Sequence, residues 1–269
     1  MPNSSIVVMH IIVERRESRA VPARRFGGLN IPQVVENGQQ APSKSQVNKA
    51  GKTLRSYLRN EGVDGDTVSA ALDVLQAWRS AHSRPLAAAN MGLRSMLATE
   101  QCRVEVSQRL KRIPTIADKL LREPTMALGN MADIGGCRAV LDSLDELRRV
   151  ESRVRHRRPP VQHHDYVRTP RATGYRAVHL IVEYSGRRIE IQLRTRVMHE
   201  WAYTVERFTG RLGHDIKGGR GPAEVVDWFQ SVSEAMALEE QGQPVGGTLL
   251  DRIAMLRGEA EPYLRGGRP

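Results

Sequence analysis

Two neighbouring stretches, RATGYRAVH (171–179) and RRIEIQLRT (187–195), carry the residues best suited to chemistry. Each has the apolar beat of a buried strand, and the off-beats hold Tyr175, His179, Glu190, Gln192 and Arg194. A carboxylate and an imidazole accept or pass protons, a guanidinium neutralises anionic charge, an amide does both halves of a hydrogen bond, and a phenol ring offers a flat surface. The same positions also suit the solvated face of an antiparallel sheet, which usually carries Thr, Lys and Glu in no particular array.

The elements that must position them follow from a turn. YSGR lies between the stretches, and with Ser185 and Gly186 as a two-residue loop Tyr184 faces Arg187, Ile181 faces Glu190, His179 faces Gln192 and Ala177 faces Arg194. One face of this hairpin then carries Val178, Leu180, Val182, Ile189, Ile191 and Leu193, and the other gathers the five polar residues.

Upstream, the periodicity predicts helices. Ser45 caps one with Val47, Ala50, Leu54 and Leu58 on its stripe; Asp66 or Thr67 caps a second through Trp78; a third follows Pro85, with Trp78, Met91 and Met96 as core. CRVEVSQRLKR alternates as a strand, and IPTIADKLLREP suits a helix with Pro114 in its first turn. Strands near Asp133–Leu141 and Gln162–Val167 then interleave with helices Leu144–Val154 and Val197–Phe208, and helices near Ala223–Glu240 and Leu249–Arg257 close the chain. This is an α/β (α+β) pattern, a mixed sheet flanked by helices behind an N-terminal helical block.

The 269 residues include 41 Lys plus Arg against 30 Asp plus Glu, a formal charge of +11, which favours polyanionic partners or a simply basic surface. Cys102 and Cys137 have neither disulfide-framework nor zinc-site spacing, so a cytoplasmic protein is expected. The apolar run Ile6–Val13 is too short for a membrane span. Residues 1–42 read as a basic, flexible arm, 43–210 as the main domain, and 211–269 as a linker and helices packing on it; the glycine-rich, basic RLGHDIKGGRGP (211–222) suits a phosphate-touching loop, but it lacks a P-loop's context and ending and reads rather as a flexible linker.

Four motifs in order, RLKRIPTIADKL (109–120), DIGGCR (133–138), DYVRTPRATGYRAVH (165–179) and EIQLRT followed by MH (190–199), resemble the synthetase domain of the RelA/SpoT alarmone family. The resemblance implies a nucleotidyltransferase-like fold and transfer of the β,γ-pyrophosphate of ATP to the 3′-hydroxyl of GDP or GTP, making the (p)ppGpp of the stringent response. It implies Mg²⁺ on Asp133 and Glu190, with Glu190 catalytic; ATP held by Arg109, Lys111, Lys119 and Arg138; and an acceptor stacked on Tyr175 near Arg171, His179, Gln192 and Arg194.

Full-length members add a hydrolase domain with a His-Asp pair and a long C-terminal regulatory region. Here HHD (163–165) falls inside the synthetase motif, so no such hydrolysis is expected. The chain departs from the family at His164, where a basic residue is common, and at Thr173, where Asn or Ser is. Single-domain members include toxins, similar in SKSQVNKAG (43–51), that modify the 3′ end of tRNA or adenine nucleotides; RRVESRVRHRR (148–158) and the basic arm suit tRNA too. An antitoxin partner and a homo-oligomer belong to the same expectation, and an inactive nucleotide- or RNA-binding module is the reading from another class, set against the presence of Asp133 and Glu190.

Overall fold

The computed structural model describes residues 41–212 and 215–264. The basic arm lies, but for its last two residues, outside them. Three helices lead: α1 (Lys44–Leu58), α2 (Gly65–Ser80) and α3 (Ser83–Thr99). Ser43, not Ser45, caps α1, because Gln46 returns the bond to the Ser43 N–H in a capping box. Asp64 caps α2, accepting from the Thr67 N–H at 2.8 Å, so Asp66 falls in the first turn.

Trp78 and Met96 are buried as expected, but Met91 is 67% exposed. The buried line of α3 runs through Leu86, Ala89, Asn90, Leu93 and Leu97, at helical spacing, and position 91 lies across the helix from it.

Helix α4 (Ile113–Arg122) carries Pro114 in its first turn, where a missing N–H costs nothing. It joins α1 and α2 in a core of Val47, Leu54, Leu75, Ile116 and Leu120. Arg55 on α1 donates to the Leu120 carbonyl in the last turn of α4 at 2.9 Å and to the Met126 carbonyl beyond it at 2.5 Å.

The sheet is five-stranded, ordered β1-β2-β5-β4-β3, from β1 (Glu105–Leu110), β2 (Gly135–Leu141), β3 (Gln162–Asp165), β4 (Val178–Tyr184) and β5 (Arg187–Thr195). β2 and β5 run parallel at its centre and every other pairing is antiparallel, which makes the sheet mixed. The hairpin has the expected register: Tyr184 opposite Arg187, Ile181 opposite Glu190, His179 opposite Gln192. Its turn places Ser185 at φ 49° and Gly186 at φ 70°, the left-handed pair that matches strand twist in a two-residue loop.

The apolar face of the hairpin packs against α3 and α5 (Leu144–Arg157) in one continuous core. Val178, Leu180, Val182, Ile189 and Leu193 are fully buried there, each stabilising the fold by about 1.5–3 kcal/mol relative to exposure. Across the sheet, α6 (Arg196–Leu212), α7 (Ala223–Glu240) and α8 (Gly247–Leu264) surround a second core centred on Trp201, Trp228 and Phe229. Among the described residues no helix is long and apolar enough to cross a membrane.

Candidate active site

The off-beat face is not an ordinary wet sheet surface: Tyr175 and Arg194 are buried, and His179, Glu190 and Gln192 are partly so. Glu190, Gln192 and Arg194 stand two apart on one face of β5, and His179 on β4 and Tyr175 just before it complete a hydrogen-bonded ring. Arg194 Nη2 donates to the Tyr175 hydroxyl at 2.8 Å, and that hydroxyl meets His179 Nε2 at 2.6 Å. His179 Nδ1 lies 2.8 Å from Glu190 Oε1. Gln192 closes the ring, donating to Glu190 Oε2 at 2.6 Å and accepting from Arg194 at 3.2 Å.

Burial pushes the His179 imidazole below its usual range despite Glu190 beside it. A neutral ring that donates from Nδ1 and accepts the Tyr175 proton at Nε2 satisfies every contact. Burial alone would raise Glu190, but the bond from His179, the charge of that ring when it is protonated and the Gln192 amide bring it down to about 2. Glu190 is therefore ionised although it is largely buried.

A cavity of about 470 Å³ opens beside the ring, and every residue singled out from the sequence except Arg194 lines it. Arg194 is 1% exposed and acts from behind, through Tyr175 and Gln192. Asp133, just ahead of β2, binds Lys111 Nζ at 2.8 Å and Lys119 Nζ at 3.0 Å. Its burial raises its pKa, and the two ammonium groups more than reverse that. Arg109 and Arg138 enter from β1 and β2, with Gly136 opposite Glu190 in the parallel pairing, so no side chain fills the floor between them.

The Tyr175 ring is not open to stack a base in this structure. It is 1% exposed; Lys217 Nζ stands 4.6 Å from its centroid and the Arg171 guanidinium 5.5 Å. Arg171 leans instead on Tyr166, 4.4 Å from that ring, and donates to its hydroxyl at 2.9 Å.

Lys217 was missed in the sequence because 211–222 reads as a linker. The structure makes it a wall: Asp215, Lys217 and Gly218 line the cavity. Asp215 accepts from Arg122 at 2.6 Å and also binds Arg220, while the Lys217 carbonyl accepts the Thr173 hydroxyl at 3.3 Å. Glu206 on α6, the partner of Lys217 at 3.2 Å, was missed too. The signal for the strap was the glycine-rich, basic composition of 211–222, which also suits a phosphate-touching loop.

The His163–Asp165 run forms β3 and is engaged elsewhere. His163 Nε2 pairs with Glu151 at 2.8 Å, Asp165 binds Arg148 at 2.7 and 3.3 Å, and His164 stacks on Tyr166. Among the described residues no group of three or more His, Cys, Asp or Glu is arranged to hold a metal by itself.

Comparison with known proteins finds relatives of this sequence and of this fold. A family model described as "Region found in RelA / SpoT proteins" matches residues 108–207. The GTP pyrophosphokinase YjbM of Bacillus subtilis is 30% identical over 162 residues, which cover 55% of this chain and 74% of that protein. The GTP pyrophosphokinase of Escherichia coli K12 is 31% identical over 139 residues, 46% of this chain but 18% of that protein. A GTP pyrophosphokinase family protein from Streptococcus pneumoniae shares the fold, with a TM-score of 0.53 at 20% identity over 72% of this chain and 98% of that one. The class these likenesses define is that of the pyrophosphotransferases. The chain belongs to the RelA/SpoT family.

Proposed function

We propose that the chain is an ATP-dependent pyrophosphokinase that moves the β,γ-pyrophosphate of ATP to the 3′-hydroxyl of GDP or GTP and releases AMP. One observation carries the reading: a single cavity is lined by the cations Arg109, Lys111, Lys119 and Arg138, by the carboxylates Asp133 and Glu190, and by Tyr175 with Arg171. The activity named for the Bacillus subtilis relative supports it.

The attacking 3′-oxygen forms a bond to the β-phosphorus while the bond to the α,β-bridging oxygen breaks. Little covalent work falls to the protein, so positioning and charge neutralisation dominate. Lys111 and Lys119, which share the single charge of Asp133, are placed to pair with ATP phosphates. Arg109 and Arg138 add to it from the neighbouring strands. Glu190 accepts the hydrogen bond of the 3′-hydroxyl and aligns it. Held near 2, it is a weak base at rest and takes the proton only as the oxygen becomes bonded to phosphorus.

Mg²⁺ suits the donor set, because that ion binds through one or two carboxylates with substrate phosphates and water completing its shell. Asp133 and Glu190 would hold it, and it would screen the charge on the phosphates under attack.

The test supplies ATP labelled at the β-phosphate with GDP, GTP, AMP or deacylated tRNA. Label in GDP or GTP is expected. Label in tRNA or AMP alone would replace the acceptor, and no transfer to any of the four would overturn the enzyme reading.

A further inference from the structure

Of the cavity's acids that the proposed chemistry does not use, Glu206 sits deepest among cations. Glu206 projects from α6 beside Lys217, and Arg138 and Arg194 act on it through their charge. Two neighbouring donors, Arg138 Nε and Arg194 Nε, are buried without a hydrogen-bond partner. Glu206 thus occupies, with a single negative charge, a place rich in cations and short of acceptors.

Lys217 is held from both ends. Its strap is tied to α4 through Asp215 and Arg122 and to the loop before β4 through Thr173, while its ammonium bridges Glu206 and the face of Tyr175. A purine reaching that ring has to displace the ammonium and the Arg171 guanidinium beside it. Burial and the nearby Arg194 lower Lys217 to about 8, with Glu206 opposing them. An ammonium so poorly compensated gains from a multiply charged anion.

We propose that Lys217 is an anion-binding residue of the acceptor half of the cavity, latched over Tyr175 by Glu206 until a phosphate-bearing nucleotide replaces both contacts. The proposal rests on the acceptor lying at Tyr175 and extends that reading: Glu206 stands in for a nucleotide phosphate in the empty site. Entry of the nucleotide moves the ammonium from ring and carboxylate to phosphate, and the base takes the uncovered ring. No covalent bond changes in this step.

Equilibrium binding tests it without turnover, so its outcome is separate from that of the transfer assay. The probes are GDP against guanosine and AMP against adenosine, with wild type, Lys217→Met and Glu206→Gln, each first shown by its melting curve to be folded. Lys217→Met should weaken the preferred nucleotide by about tenfold or more, the size of a lost charge-assisted bond, and leave its nucleoside unchanged or tighter. Glu206→Gln should tighten the nucleotide, an effect that misfolding would not produce. Equal loss for nucleotide and nucleoside in Lys217→Met, weaker nucleotide binding in Glu206→Gln, or no binding of any probe to wild type would each overturn the proposal.

Discussion

At the scale of the residue, Glu190 carries the sharpest expectations. Its carboxylate is fixed from both sides by His179 and Gln192, so Glu190→Gln keeps the shape but loses the charge and reverses one hydrogen bond. We expect kcat to fall by about 10²- to 10⁴-fold, the range for a positioned acid–base group, with a much smaller change in the KM for ATP. A loss below tenfold in steady-state assays would remove Glu190 from the chemistry. The same residue sets a pH dependence of stability. Its folded value, about 2, lies below the ordinary 4.5, so it contributes stability that is full above about 4.5 and disappears as pH falls toward 2. Urea midpoints of wild type and Glu190→Gln should differ most near neutrality and converge as pH falls from about 5 to about 2.

At the scale of the element, the loop before β4 is shaped by α7. Gly174 has φ +85°, and a Cβ there would stand 2.8 Å from Ser233 Cβ and 3.0 Å from Gln230 Cα. Ser233 donates to the Gly174 carbonyl at 2.5 Å, and Arg176 forms a buried ion pair with Glu240 at 2.6 Å. Gly174→Ala meets both backbone strain and a clash with a helix backbone, so a cost of about 2–4 kcal/mol is expected from urea unfolding. No measurable change would mean that α7 does not press on this loop. Such contacts explain what was legible. The hairpin register could be read because two independent apolar rows agree in phase, and one face of the candidate site came with it. The strap could not: Lys217 meets Tyr175 and Glu206 only through the fold of α6 and the turn beyond it, and its own sequence carries no periodicity. Local competition defeated smaller expectations, as when Ser43 took the cap from Ser45 through its bond with Gln46.

At the scale of the whole molecule, the two halves of the cavity stand on different cores. Lys111 and Lys119 flank and ride on α4, whose Leu120 is fully buried in the N-terminal core with Leu54 and Leu75. Tyr175 belongs to the C-terminal core with Trp201, Trp228 and Phe229, the last 1% exposed and in ring contact with Trp201 and Phe208. The sheet, resting on a third core with α3 and α5, joins them. Leu120→Ala and Phe229→Ala should each cost about 2–5 kcal/mol, lowering the melting temperature by about 10 °C. Their kinetic effects should separate, because a cavity left in one core loosens the residues seated on it more than those across the sheet. Leu120→Ala is expected to raise the KM for ATP more than that for the acceptor, and Phe229→Ala the reverse. The assay is steady-state transfer with each substrate varied in turn, well below both melting temperatures. Parallel rises in both constants for both variants would show that the cavity responds as one unit, and that donor and acceptor sites are not supported independently.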